Sequence, residues 1–538
     1  MRKLRLGGTA GLIGPCLDVY AKAATEDPAR AGILHGEMFE AAELTQGSVT
    51  TQEIAQAAAR LASSASDPKV ATAIRAQQDA QHRLADLYQQ RDQAAHTANN
   101  GAALARLDKD IAAATARLQQ AGLAEQAAAP NYGQLVQQVV PATEVLKLLR
   151  PDEAFLGITT TPQHSWLFFL HAGRVEVAQA NETELGMARL VKQVRASIEP
   201  GTAGLPAFDM ADAATIYANT LGPFAAQMAG VHDLVVAPSG ALLALPFALL
   251  PTGPASATDL AHAPWLIRQT TLAYVPAAAN FVSLRRAEGT SAAKQPWFGF
   301  GDFRPVSLAQ AQATYSPAAC PQAAAEFAGL PQLPYAKLEL QAASAIFGAG
   351  PQDELLGAGF TVPDVEKADL KNFQILHFAT HALLPTDLPC QAEPAIVTSA
   401  PAGAASADQA QLTTSDVMGL KLDANLVVLS ACNTGGGEEG GEALSGLARS
   451  FFFAGARAML VTQWSVNDQV SAYLVADTLS RLHAASAGGA AGSLRAAQLA
   501  LIGGAGKGFP AQIADPFYWA AFTVIGDGGA EALSGSGK

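Results

Sequence analysis

Gln374-Ile375-Leu376-His377-Phe378-Ala379-Thr380-His381 and Asn425-Leu426-Val427-Val428-Leu429-Ser430-Ala431-Cys432 decide the fold. Each opens as a short apolar run bounded by polar residues, the pattern of a strand buried in the interior of a sheet. A glycine loop, a helix over 444–455 and a strand over 458–463 follow the second run. Upstream, 297–302 and 233–238 read as strands, with helices over 338–347 and near 362–370 between the units. The 240–251 stretch is apolar and broken by Pro246. Further out, 154–159 and 166–171 read as strands around a turn at 161–164, with helices over 183–198 and 208–228. Strands alternating with helices predict an α/β fold: a doubly wound, mostly parallel sheet with helices on both faces. Functional loops in such sheets lie at the carboxyl ends of the strands.

The region ahead of residue 130 has a different period. From 12 to about 63 the chain is Ala-rich and helical, broken near Asp27-Pro28, and reads as helical hairpins. The 39–61 segment resembles the last unit of a tetratricopeptide array. A helical repeat needs about three neighbours to bury its faces, so a fragment of a longer repeat protein is expected. Between 70 and 123 a heptad-like spacing, interrupted at Thr97-Ala98-Asn99-Asn100-Gly101, predicts an antiparallel helical hairpin. Gln77 and Gln81 weaken its seam, which suits a spacer better than a site. Four segments result: a helical region over 1–64, a hairpin over 65–129, and two halves of the α/β region over 130–290 and 291–538.

With 538 residues the chain exceeds one hydrophobic core. Its 34 Lys and Arg against 47 Asp and Glu give a net charge of -13, and with no basic patch this excludes nucleic acid and anionic membranes as expected partners. No run reaches the ~18 apolar residues of a membrane span. The basic start Met1-Arg2-Lys3 with the apolar stretch behind it resembles a signal peptide, but Gly7, Gly8, Gly11, Gly14 and Pro15 dilute that stretch and favour a helical segment. Cys16, Cys320, Cys390 and Cys432 form no C-x-x-C pair, no disulfide framework and no zinc spacing, so a cytoplasmic location and no cofactor are expected.

His381 ends one predicted strand and Cys432 another, which brings a base and a thiol to the same sheet edge. An imidazole within reach of a thiol makes the nucleophilic thiolate available at neutral pH. The plainer alternative is a buried structural cysteine. Backbone N–H groups around Cys432 and 434–437 are candidate oxyanion donors. His377 lies about 13 Å from His381 along a strand, too far to share a metal, and reads as a core histidine. Gly435-Gly436-Gly437-Glu438-Glu439-Gly440 formally matches G-x-G-x-x-G, yet two acids stand where a pyrophosphate would approach and no Lys-Ser/Thr follows. The glycines fit a loop that closes on a substrate.

The residues at 376–382, 428–435, 441–449, 452–457 and 462–468 resemble the CHAT family, the caspase-like domain found with tetratricopeptide repeats and related to separases and gingipains. The likeness extends to 236–249, Phe300-Gly301-Asp302, 393–397 and 515–522, and so covers about 130–530. It implies a cysteine endopeptidase acting on protein substrates, with Cys432 as nucleophile and His381 as its base, and with Cys432 and Ala382 donating backbone N–H groups to the oxyanion. Many relatives have Gly at Ala382 and two acids at Asn467-Asp468. Glu438, Glu439, Glu442 and Asp468, with Trp464, are the expected substrate contacts, and an acidic pocket would suit Lys or Arg before the cut bond. The resemblance further implies a regulatory protein partner at the helical region, with bacterial defence or cell death as the setting. The alternative is a catalytically silent scaffold that binds partners through its helices. The 398–411 stretch, rich in Ala, Ser and Gly, reads as a flexible, cleavable loop.

Overall fold

The computed structural model describes residues 10–44, 101–128 and 139–526, apart from 202–203, 287–290, 317–319, 321, 384–387, 389, 392, 431–445, 466 and 486–487; single positions between 73 and 91 and Gly528 are also described. The strands are β1 Glu153–Thr160, β2 Ser165–His171, β3 Arg174–Gln179, β4 Asp233–Ala237, β5 Thr271–Tyr274, β6 Gln295–Gly301 and β7 Glu354–Leu356. They continue with β8 Phe373–Ala379, β9 Ala382–Leu383, β10 Ala395–Val397, β11 Gln411–Thr413, β12 Leu426–Ser430, β13 Ala458–Thr462 and β14 Phe522–Gly526. Described helices of nine residues or more are α1 Ala10–Glu26, α2 Ala31–Glu43, α3 Gly101–Ala128, α4 Glu184–Ala196, α5 Met210–Thr220, α6 Ala278–Arg286, α7 Pro334–Phe347, α8 Gly446–Ala454, α9 Asp468–His483 and α10 Gly489–Gly504.

The chain forms two compact units, one of 1–54, 139–285 and 289–538, the other of 55–138 and 286–288. In the second, α3 is joined to the preceding segment by an ion pair of 2.5 Å between Arg91 and Asp108. The first contains an 11-stranded sheet in the order β3-β2-β1-β4-β5-β14-β13-β12-β8-β6-β7. Among the described residues of this sheet only β1–β2, β2–β3 and β13–β14 pair antiparallel. The sheet is therefore mixed and mostly parallel, as its buried apolar strands require. The three short strands β11, β10 and β9 form a separate sheet.

Alternation along β1 divides its side chains between two cores. Ala154, Leu156 and Ile158 of β1 face one, with Leu190 of α4, Ile216 of α5, Leu340 of α7, Leu474 of α9 and Leu494 of α10. Phe155 faces the other, with Phe168, Val235, Phe281 of α6 and the N-terminal helices. In α2 the buried positions Leu34, Met38, Phe39 and Ala42 form one helical stripe. Phe39 meets Phe168 edge-on at 5.6 Å. Helices α1 and α2, read from the sequence as part of a separate helical region, thus share a core with the sheet. Glu43, the last residue of α2, is buried, and its carboxylate accepts the backbone N–H of Ala278 at the start of α6, 3.2 Å away. Burial pushes that carboxyl up to about 8.

At the amino edge of the sheet Glu153 is 1 % exposed and is held by the two terminal guanidinium nitrogens of Arg285, at 3.1 and 2.8 Å, and by Arg150. At the carboxyl edge Gly301 ends β6 opposite Ala379 of β8. A Cβ at 301 would stand 2.5 Å from the Ala379 carbonyl oxygen, so glycine is required by close approach beside the predicted catalytic loop. Among the described residues no helix is long and apolar enough to cross a membrane.

Candidate active site

Strands β8 and β12 are parallel neighbours with Ala379 opposite Ser430. The ladder closes with Thr380 N–H donating to the Ser430 carbonyl at 3.3 Å. His381 follows Ala379 by two residues, and in the sequence Cys432 follows Ser430 by two. Strand β8 stops before His381, which lies in the loop at the sheet edge and not on the strand. Cys432, the 434–437 donors and Glu438, Glu439 and Glu442 lie outside the described residues.

His381 is half-buried. Its Nε2 lies 2.8 Å from the carbonyl oxygen of Pro331, and Phe303 meets the ring edge-on at 5.4 Å. A carbonyl only accepts, so Nε2 carries the proton in the neutral ring and Nδ1 carries the lone pair. Burial lowers the His381 pKa from its ordinary value, opposed by the Pro331 hydrogen bond and by Asp468. The orienting carbonyl lies fifty residues upstream, and no side-chain pattern announces it.

Val397 N–H donates to the His381 carbonyl at 2.9 Å, and Ala382 pairs with Ile396. In an antiparallel ladder the residue after a hydrogen-bonded pair turns its own N–H outward, so the Ala382 N–H points away from β10. Ala382 is not among the described residues with positive φ, so alanine takes this position without strain.

Asp468 opens α9, where a helix N-terminus favours an acid, and accepts the Tyr335 N–H at 3.1 Å. Burial raises its pKa, against the Tyr335 hydrogen bond and the nearby His381. Trp464 does not fit the substrate contact expected of it. It is 2 % exposed, its indole N–H donates to the Phe517 carbonyl at 3.1 Å, and Arg195 lies over its ring. It is a core residue, because an indole is buried at little cost when its N–H is paired.

His377 is fully buried, with Nε2 2.6 Å from Oε1 of the buried Glu339. Ser430 donates to Oε2 of the same carboxylate at 3.1 Å and lies 3.2 Å from Ser471 of α9. Neither Glu339 nor Ser471 was singled out from the sequence. A lone acid in an Ala-rich helix looks like a solvated charge until its neighbours are known.

The expectation of no disulfide is overturned. Cys320 and Cys390, seventy residues apart in sequence, are joined with a Cα–Cα distance of 6.2 Å. The bridge connects the segment leading to Pro331 with the loop that follows β9. A bridge of this kind persists in oxidising surroundings, which removes the cysteine argument for a reducing cytoplasm. The expected flexible loop at 398–411 is also pinned. Thr398 N–H donates to Ala410, Ala407 N–H to Gln310, and the Gln310 side chain to Ala404. No cluster of metal-binding side chains occurs among the described residues.

A model of the CHAT domain matches residues 211–527. No curated protein matches the chain. Among solved structures, Saccharomyces cerevisiae separase in its complex with securin aligns with a TM-score of 0.39 and 8% identity, over 82% of this chain and 37% of that one. The chain thus spans well under half the length of that separase. The Arg-specific cysteine proteinase gingipain R aligns with a TM-score of 0.36 and 10% identity, over 64% of this chain and 75% of that one. The complex of Porphyromonas gingivalis RgpB pro- and mature domains gives 0.34 and 10%, over 64% and 76%. Since the family model spans more than half of its residues, the chain belongs to the CHAT domain family.

Proposed function

We propose that this chain is a cysteine endopeptidase that cleaves protein substrates with Cys432 as nucleophile and His381 as its base. The observation that carries the assignment is the pairing of Ala379 with Ser430, from which His381 and Cys432 each follow by two residues. Two residues reach at most about 7 Å, and neighbouring strands lie about 5 Å apart, so the chain can bring imidazole and thiol within reach of one another.

The Pro331 carbonyl, by holding the Nε2 proton, leaves Nδ1 to take the thiol proton. The thiolate attacks the scissile carbonyl, and the oxyanion is received by the backbone N–H groups of Cys432 and Ala382. The proton on Nδ1 then goes to the leaving amine. Water, deprotonated by the same nitrogen, hydrolyses the thioester and restores the thiol. A lowered imidazole pKa supports this role, because the ring is neutral and ready to accept at physiological pH. No cofactor enters the chemistry. Asp468, electrostatically linked to His381, supports a basic residue before the cut bond. Partner-dependent regulation through the N-terminal helices is supported by their seat on the sheet, where Glu43 caps α6.

The test is covalent labelling with electrophilic peptide probes carrying Arg, Lys, Asp or Leu before the warhead. Labelling abolished by both Cys432→Ala and His381→Ala, and strongest for Arg or Lys, is expected. Labelling indifferent to Cys432→Ala, or none with any probe in the presence of candidate partners, would replace the peptidase with a scaffold.

A further inference from the structure

Beneath the candidate dyad lies a polar group that stability alone does not account for. Glu339 is 2 % exposed and His377 is 0 % exposed, and the buried Nδ1 of His377 has no hydrogen-bond partner among the described residues. Burying a carboxylate and an imidazole carries a desolvation cost that an apolar cluster of the same volume avoids. The placement of the carboxylate matters more than its pairing.

His377 stands opposite Val428, so Ser430 lies two residues further along the neighbouring strand, on the same face and one step nearer the sheet edge. Oε1 of Glu339 takes the first side chain and Oε2 the second. One carboxylate thus spans β8 and β12 on the diagonal, just where their ladder ends in a long bond of 3.3 Å from Thr380. Ser471 extends the tie to α9, the helix that opens with Asp468. Helix α7 and the loop just ahead of it make the other contacts as well. The Pro331 carbonyl, in the loop before the helix, holds His381; on α7 itself the Tyr335 N–H holds Asp468 and Glu339, one turn further on and so on the same side of the helix, holds the two strands.

We propose that Glu339 is a positioning residue, whose carboxylate locks the carboxyl ends of β8 and β12 together and so sets the distance between His381 and Cys432. This rests on the assignment of those two residues as a catalytic dyad. Helix α7 is then the index against which base, thiol and Asp468 are aligned, and a shift of α7 disarms the site without any change in the dyad.

The test is the rate at which iodoacetamide alkylates Cys432, followed by mass spectrometry of its peptide so that exposed Cys16 does not interfere. Wild type is compared with His381→Ala, Glu339→Ala, Glu339→Gln and Ser430→Ala, each melted in parallel. Wild type should react faster than His381→Ala; equal rates would refute the dyad and the positioning role with it. If the dyad stands, Glu339→Ala should slow Cys432 by about tenfold to a hundredfold, the cost of an ångström-scale misplacement, at temperatures where it is folded. Glu339→Gln should restore most of the rate, because its amide accepts from His377 and donates to Ser430. Should Glu339→Ala not fold, Ser430→Ala, which loses one hydroxyl, must still slow the thiol. A folded Glu339→Ala or Ser430→Ala with the wild-type rate overturns the proposal even if its melting temperature has dropped. So does a Glu339→Gln as slow as the alanine variant.

Discussion

Glu43 should make the docking of the N-terminal helices depend on pH. Its carboxyl is buried against the first N–H groups of α6 and held at about 8, against an ordinary 4.5. Because the folded value lies above the unfolded one, the native state keeps a proton that the unfolded chain gives up as pH rises above about 4.5. Stability from this group is therefore complete at acid pH and declines as pH rises towards 8. Between pH 5 and pH 8 the loss is on the order of 3 kcal/mol, at 1.36 kcal/mol per decade of proton binding. Glu43→Gln keeps an oxygen for the Ala278 N–H and has no proton to lose. Calorimetric melting of both proteins at pH 5, 6.5 and 8 separates this group from the titrations they share. The variant should gain on the wild type by several degrees across that range. Parallel curves would refute the argument, because they would mean that Glu43 ionises in place at no cost.

Burial lowers the His381 pKa while Asp468 raises it. The acid limb of Cys432 labelling should accordingly fall below 6.5, and Asp468→Asn should move it lower still; a shift to higher pH counts against the geometry. Arg285→Met leaves Glu153 buried with its bidentate partner gone, and should cost about 3 kcal/mol in denaturant unfolding. Pairing it with Glu153→Leu should recover much of that loss. Thiol titration of the unfolded, unreduced chain should find two of the four cysteines reactive, because Cys320 and Cys390 are bridged. Four reactive thiols would exclude the bridge, whose closure of a seventy-residue loop is worth up to about 4 kcal/mol.

The strands that carry the site were legible because they are short, apolar and ended by polar residues, as in β8 and β12. Strand β14 enters the family motif only through its first residue, Phe522. Its place between β5 and β13 depends on one partner about 60 and another about 250 residues away in sequence and has no local signal. Strand β3 alternates Arg174, Val175, Glu176 and Val177, a half-exposed pattern too short and too polar to stand out as a strand. The Pro331 carbonyl could not be found by residue type, since every residue has one. Trp464 misled because an aromatic beside polar loop residues resembles a pocket wall, and only the acceptor at Phe517 shows where the indole belongs. The Cys320–Cys390 bridge was missed for the same reason as β14: contact between segments so far apart is made by the fold.

The position of β14 bears on how the molecule is made. Strands β3 to β5 and strands β6 to β13 can each assemble as the chain emerges, but the strand that joins them is drawn from 522–526. Its seam with β5 is a single registered pair, Ile525 with Tyr274. Until residue 526 has left the ribosome, β5 and β13 each lack a neighbour that the finished sheet gives them, and such unpaired edges invite pairing with other chains. Synthesis interrupted shortly before Phe522 would therefore leave two half-sheets with adhesive margins, a product more prone to aggregate than one interrupted between the first half and the second.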